Sequence, residues 1–149
     1  MTALINSLIP HSKSGALKHI ELNDNYISTD EQRNAFANLL KEAHTLEYLD
    51  IGSSNMYEED EDEKAMELIE FLKESACKES LRVFGWGYDA CEMNDLVETM
   101  LETLGDRDQF PKIERIELQE TLEGGKRRNE LRRDFAEKGI KLMMSDRQA

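Results

Sequence analysis

Cysteine is scarce in this chain of 149 residues: only Cys77 and Cys91 occur, far from CxxC spacing. That excludes a zinc site or disulfide framework built on paired cysteines. It fits reduced, buried thiols in a cytoplasmic protein. Proline is scarcer than usual, with two residues, so long irregular loops are not expected. The three histidines, His11, His19 and His44, are scattered, and no P-loop, HExxH or nucleophile–base–acid grouping appears. No catalytic residue, cofactor or metal ligand is therefore expected, and the chain is not expected to be an enzyme. His19, Glu21 and Asp50 are the one grouping able to imitate a catalytic or metal cluster. Long apolar runs are missing too. Residues 2–9 are apolar but short, with no basic stretch before them, which fits neither a signal peptide nor a membrane span.

What is present is a repeated apolar spacing. Leu17, Ile20, Leu22 and Ile27 stand at offsets 0, 3, 5 and 10, with Asn25 at offset 8. The same offsets fit Leu46, Leu49, Ile51 and Met56, and then Leu81, Phe84, Trp86 and Cys91. Ile113, Ile116 and Leu118 fit three of the four, with Glu123 at the last place, and Ile140 to Met144 reads as a closing strand. The starts are separated by 29, 35, 32 and 27 residues. This is the pattern of a leucine-rich repeat, whose usual period is roughly 20–29 residues, with the middle units long. Offsets 3 and 5 share one face of a strand, so they point into the stack. Asn25 is expected to satisfy backbone groups where the chain leaves the strand. Ser54, Asp89 and Thr121 stand at that place later and predict looser turns.

Helical spacing fills the intervals. Ser28, Thr29 and Asp30, followed by Glu31 and Gln32, make a helix start. Phe36, Leu39, Leu40 and Ala43 then share a face, as do Ala65, Leu68, Ile69, Leu72 and Ala76. Leu96, Val97, Met100, Leu101 and Leu104 follow, capped by Gly105, and then Leu131 and Phe135, stopped by Gly139. The expected fold is α/β: a short solenoid with a curved parallel sheet inside and helices outside. It has about four strand–helix units, an N-terminal helix and a closing strand. One domain covers residues 1–149, with a helix or cap at 1–13, repeats at 17–144 and a tail at 145–149. Leu4, Ile5, Leu8 and Ile9 are expected to pack the first helix on the first repeat. That helix either caps the stack, or the chain is the C-terminal part of a longer solenoid. An exposed terminal repeat edge invites self-association.

Residues 17 to about 144 resemble the ribonuclease-inhibitor-like branch of leucine-rich repeat proteins, because the units are long and carry full helices. Within that branch, Phe110 to Leu118 resembles a repeat opening of the GTPase-activating protein for Ran (RanGAP). Lys78 to Gly85 is similar to a late strand opening in the C-terminal domain of tropomodulin, and Asn94 to Val97 is similar to that domain's tail. The resemblance implies a fold that generally binds proteins and seldom catalyses. The expected function is an intracellular protein–protein interaction module. Regulation of a small GTPase and capping of actin filaments are the alternatives.

The concave sheet face is the usual binding surface of a solenoid. Here it is expected to present His19, Glu21, Asn23, Tyr48, Asp50, Val83, Tyr88, Arg115, Glu117 and Gln119. Tyr48, Val83 and Tyr88 would form its apolar-aromatic centre, of the kind that dominates interface energies. Trp86, between Gly85 and Gly87, reads as core packing in a weakened strand. Glu58 to Glu63 is an unbroken acidic run that suits the positive end of the following helix. It lacks the glycine and ligand spacing of a calcium loop. Lys126, Arg127, Arg128, Arg132 and Arg133 form a basic patch on a body of formal charge −13. Phosphate repulsion over most of that body disfavours nucleic acid, which is not expected as a partner.

Overall fold

Parallel strands that follow one another along the chain need a crossover each, and here every crossover is a helix. The structure, a computed structural model, describes residues 2–22, 29–51, 61–89, 94–120 and 125–146. Of residues 2, 61–65, 87–89, 94–97, 119–120, 125–128 and 145–146 it describes the backbone alone. Strands β1 to β5 span His19–Glu21, Tyr48–Asp50, Val83–Asp89, Arg115–Glu120 and Lys141–Asp146. Helices α1 to α5 span Thr2–Lys13, Asp30–Glu42, Glu61–Lys73, Asn94–Leu104 and Gly125–Glu137. The sheet order is β1-β2-β3-β4-β5, with every pair parallel. The architecture is thus α/β, with one helix before the first strand and one in each crossover.

The register explains the core. Ile20, Leu49, Phe84, Ile116 and Leu142 are aligned across all five strands and are at most 5% exposed. Residues flanking them on β1 and β2 are exposed or half-buried, so the sheet is apolar on one face only. Crossovers between parallel strands are overwhelmingly right-handed. In sequential order, that rule puts all the connecting helices on the same face. Phe36, Leu39 and Leu40 of α2, Leu68, Ile69 and Leu72 of α3, Met100 and Leu104 of α4, and Leu131 and Phe135 of α5 are buried there. No helix of the described residues is long and apolar enough to cross a membrane.

Local signals set the helix ends. Thr29 caps α2 with a reciprocal capping box: its hydroxyl accepts from the Gln32 N–H at 3.1 Å, and the Gln32 side chain accepts from the Thr29 N–H at 3.1 Å. Gly139 ends α5 with φ +77°, a conformation other residues adopt only under strain. The N–H of Gly105, just after α4, bonds to the Leu101 carbonyl at 2.9 Å.

Three expectations need correction. Ala76 and Cys77 are not part of the second crossover helix. That helix, α3, stops at Lys73, and Ala76–Glu79 forms a separate 3-10 turn. The buried Ser75 hydroxyl donates to the Leu72 carbonyl at 2.7 Å, competing with the continuing helix ladder. Leu4 does not pack on the first repeat: it is 51% exposed, while Ile5 is fully buried and Leu8 and Ile9 are partly so. Residues 145 and 146 are not tail but strand, because Gln119 and Glu120 of β4 supply backbone partners for them. The strand–helix turns at Asn25, Ser54 and Thr121, Cys91, and the first half of the acidic run lie outside the described residues.

The capping box predicts a measurable cost. Thr29→Ala should lower unfolding stability by about 1 kcal/mol, and Gly139→Ala by about 1–2 kcal/mol through its positive φ. Urea denaturation checks both; a midpoint unchanged in both variants would show that these ends do not set the helices.

Candidate functional site: the uncovered face of the sheet

The face turned away from the helices carries two registered rows. One reads His19, Tyr48, Val83, Arg115 and Lys141. The next reads Glu21, Asp50, Gly85, Glu117 and Met143. Each row is a line of side chains roughly 4.8 Å apart, the spacing of neighbouring strands. Short strands hold them because the buried row between them fixes which way each side chain points: a one-residue slip would turn the apolar row to water.

The side chains are linked. The His19 ring lies flat on Tyr48, with centroids 4.1 Å apart and planes 4° from parallel. His19 Nε2 sits 2.9 Å from Glu21 Oε1. The Tyr48 hydroxyl crosses β3 and donates to Glu117 Oε2 at 3.2 Å. Glu117 Oε1 lies 2.9 Å from Arg115 Nε as an ion pair, although that N–H does not point along the contact. Gly85 stands in β3 between Asp50 and Glu117. A Cβ there would stand 3.0 Å from Asp50 Cγ and 3.2 Å from both carboxylate oxygens. The Asp50 carboxylate therefore leans over the bare glycine, and any side chain at 85 would have to displace it.

The local field is negative. The Tyr48 phenol is pushed up to about 12, first by burial, then by the charge and hydrogen bond of Glu117, and then by Asp50 and Glu21. Each of these disfavours a phenolate. On the other side of the sheet, burial raises the Cys77 thiol, and its Sγ donates to Ser75 Oγ at 3.2 Å. That thiol faces the core, not the site.

Seven of the expected face residues come together here: His19, Glu21, Tyr48, Asp50, Val83, Arg115 and Glu117. Asn23 lies outside the described residues, and of Tyr88 and Gln119 only the backbone is described. The register of β3 and β4 shifts between Trp86 and Asp89, which leaves Gly87 and Tyr88 in a bulge. Trp86 is 1% exposed, edge-on to Phe84 at 6.0 Å, so it packs in the core as expected. Its indole Nε1 has no hydrogen-bond partner among the described residues.

Sequence reasoning missed three members. Lys141 and Met143 close the two rows, and Met143 is 42% exposed. Aligning β5 with β4 by their buried residues would have found both. Gly85 was seen only as a neighbour of Trp86, yet its offset matches Asp50 and Glu117. Among the described residues no group of three or more His, Cys, Asp or Glu is placed to hold a metal ion. The helix side offers shallow clefts of about 400 and 300 Å³, the larger lined by Asn34, Asn38, Lys41 and Phe71 among others.

The raised phenol has a pH signature. Its folded value lies above the unfolded value of about 10, so the stabilisation is fully present below pH 10 and is lost as pH rises towards 12. In an alkaline titration followed by tyrosinate absorbance, the latest phase should vanish in Tyr48→Phe and move to lower pH in Glu117→Gln. A latest phase that survives Tyr48→Phe would refute the assignment. Set against protein-family models and curated proteins, the chain matches none.

Proposed function

We propose that this chain is a short leucine-rich-repeat unit of the ribonuclease-inhibitor-like type, and that its uncovered sheet face binds a partner protein inside the cell. It acts by contact, not by catalysis. One observation carries this reading: an all-parallel sheet is ordinarily covered on both faces, and here the face opposite the helices presents two side-chain rows with nothing described above them. Those rows are already ordered by the His19–Tyr48 stack and the Tyr48–Glu117 hydrogen bond. Pre-ordering lowers the entropy cost of binding. Tyr and Arg are also the residue types that most often anchor interfaces.

The test is capture of partners from the source cell, followed by mass spectrometry. Tyr48→Ala combined with Arg115→Ala should abolish capture of the specific partner while the circular dichroism spectrum stays unchanged. Undiminished capture by the double variant would defeat the proposal.

A further inference from the structure

The sheet has two outer strands, and they are built differently. β1 is three residues long. β5 is six, with the sequence Lys-Leu-Met-Met-Ser-Asp, and it pairs with β4 over its full length without a register shift. Lys141 turns its backbone towards β4, where its N–H donates to the Glu114 carbonyl at 2.9 Å. Backbone direction alternates along a strand, so Met143 turns the same way, and the N–H and C=O groups of Leu142 and Met144 lie on the outer edge. Among the described residues no strand pairs with that edge. Sheets ordinarily guard an outer strand by shortness, a proline, a bulge or a charge within it. In β5 the two charged residues, Lys141 and Asp146, stand only at its ends. Its centre is apolar on both faces. Leu142 and Met144 lie on the helix side, buried and partly buried. Met143 lies on the other face and, with Leu4, is one of the two large apolar side chains left exposed among the described residues.

We propose that β5 pairs with β5 of a second copy, antiparallel about a two-fold axis at Met143, and joins two five-stranded sheets into one of ten. An axis normal to the sheet keeps the helices of both copies on the same side, so each residue must face one an even number of positions away. Centred on Met143, this register sets Met143 against its own counterpart and Leu142 against Met144 on either side of the axis. The outward backbone groups of Leu142 and Met144 then exchange hydrogen bonds. The two Met143 residues form the closer, non-hydrogen-bonded pair, with Cα atoms about 4.5 Å apart. The apolar centre of β5 is thus self-complementary. Cross-strand pairs of this kind stabilise sheets, and flexible thioethers adapt to one another. Lys141 falls opposite Ser145, so no charge meets its like. Head-to-tail pairing of β5 with β1 fits worse. β1 offers only three residues, and continuing the sheet's register would set Glu21 beside Met143. Such pairing would also propagate without end, whereas a two-fold contact closes. The formal charge of −13 on each copy opposes the approach, and salt screens that repulsion. The pairing stands apart from what the open face binds, but it joins the open faces of both copies into one continuous surface.

Sedimentation equilibrium of the whole chain over a range of concentrations should show monomer and dimer and nothing larger. Raising sodium chloride from about 0.01 M to about 0.15 M shortens the screening length from about 30 Å to about 8 Å and should tighten the dimer. Contact between the acidic run Glu58 to Glu63 and the basic patch of another copy would instead loosen under the same change. Met143→Lys sets two like charges at the axis and should leave only monomer. Its circular dichroism spectrum should be unchanged, because the side chain is exposed. Amide hydrogen exchange in the unaltered chain reads the edge directly. The amides of Leu142 and Met144 should exchange more slowly as concentration rises, while those of Lys141 and Met143, already bonded to β4, should not change. A chain that stays monomeric throughout, larger polymers, a dimer that loosens with salt, a dimer that survives Met143→Lys, or Leu142 and Met144 amides indifferent to concentration would each overturn the proposal.

Discussion

The buried row of Ile20, Leu49, Phe84, Ile116 and Leu142 is the contact on which the rest of the molecule depends. Each of these side chains contributes about 1.5–3 kcal/mol by leaving water, but their alignment matters more than their sum. Because they are in register, five strands share one apolar face. Because they share one face, the helices collect on that side, and none of the described helices covers the opposite one. The two rows of side chains on that other face are then a by-product of the pleat: they stand wherever the core residues do not. A single period-two alternation thus sets both the stability of the sheet and the composition of its exposed surface.

The same logic shows why the strands were legible in the sequence and parts of the site were not. Apolar offsets repeated often enough to locate all five strands, and seven of the face residues followed from their positions between core residues. Glycine carries no such signal. Gly85 matters because of a missing side chain, and its consequence, the lean of Asp50, depends on a neighbouring strand more than thirty residues away. The end of α3 was misread because Ala76 continues its apolar spacing, whereas the Ser75 hydroxyl decides the geometry. Leu4, Ile5, Leu8 and Ile9 do fit one helix face, but Leu4 stands at its edge, where it is left exposed. The bulge at Gly87 and Tyr88 breaks the alternation on which any face assignment rests.

Charge is distributed on this protein by position along the strands as well as by overall excess. Carboxylates gather at one level of the sheet and cations at the level before it, so the open face has a gradient running with the strand direction. A surface of this kind discriminates by orientation: a partner segment laid across the strands meets one sign, and a segment laid along them meets both. Complementarity of that sort governs association rate and specificity more than it governs affinity.

The Tyr48–Glu117 hydrogen bond has a consequence for how the chain assembles. Backbone pairing joins strands whose partners lie 26 to 35 residues apart, each with its immediate neighbour. The tyrosine bond spans 69 residues and skips a strand. It can form only when β2, β3 and β4 are all docked, so it closes late, after the shorter loops have been closed. A phenol on the surface of the sheet is thereby a built-in optical reporter of whether three successive units have come together.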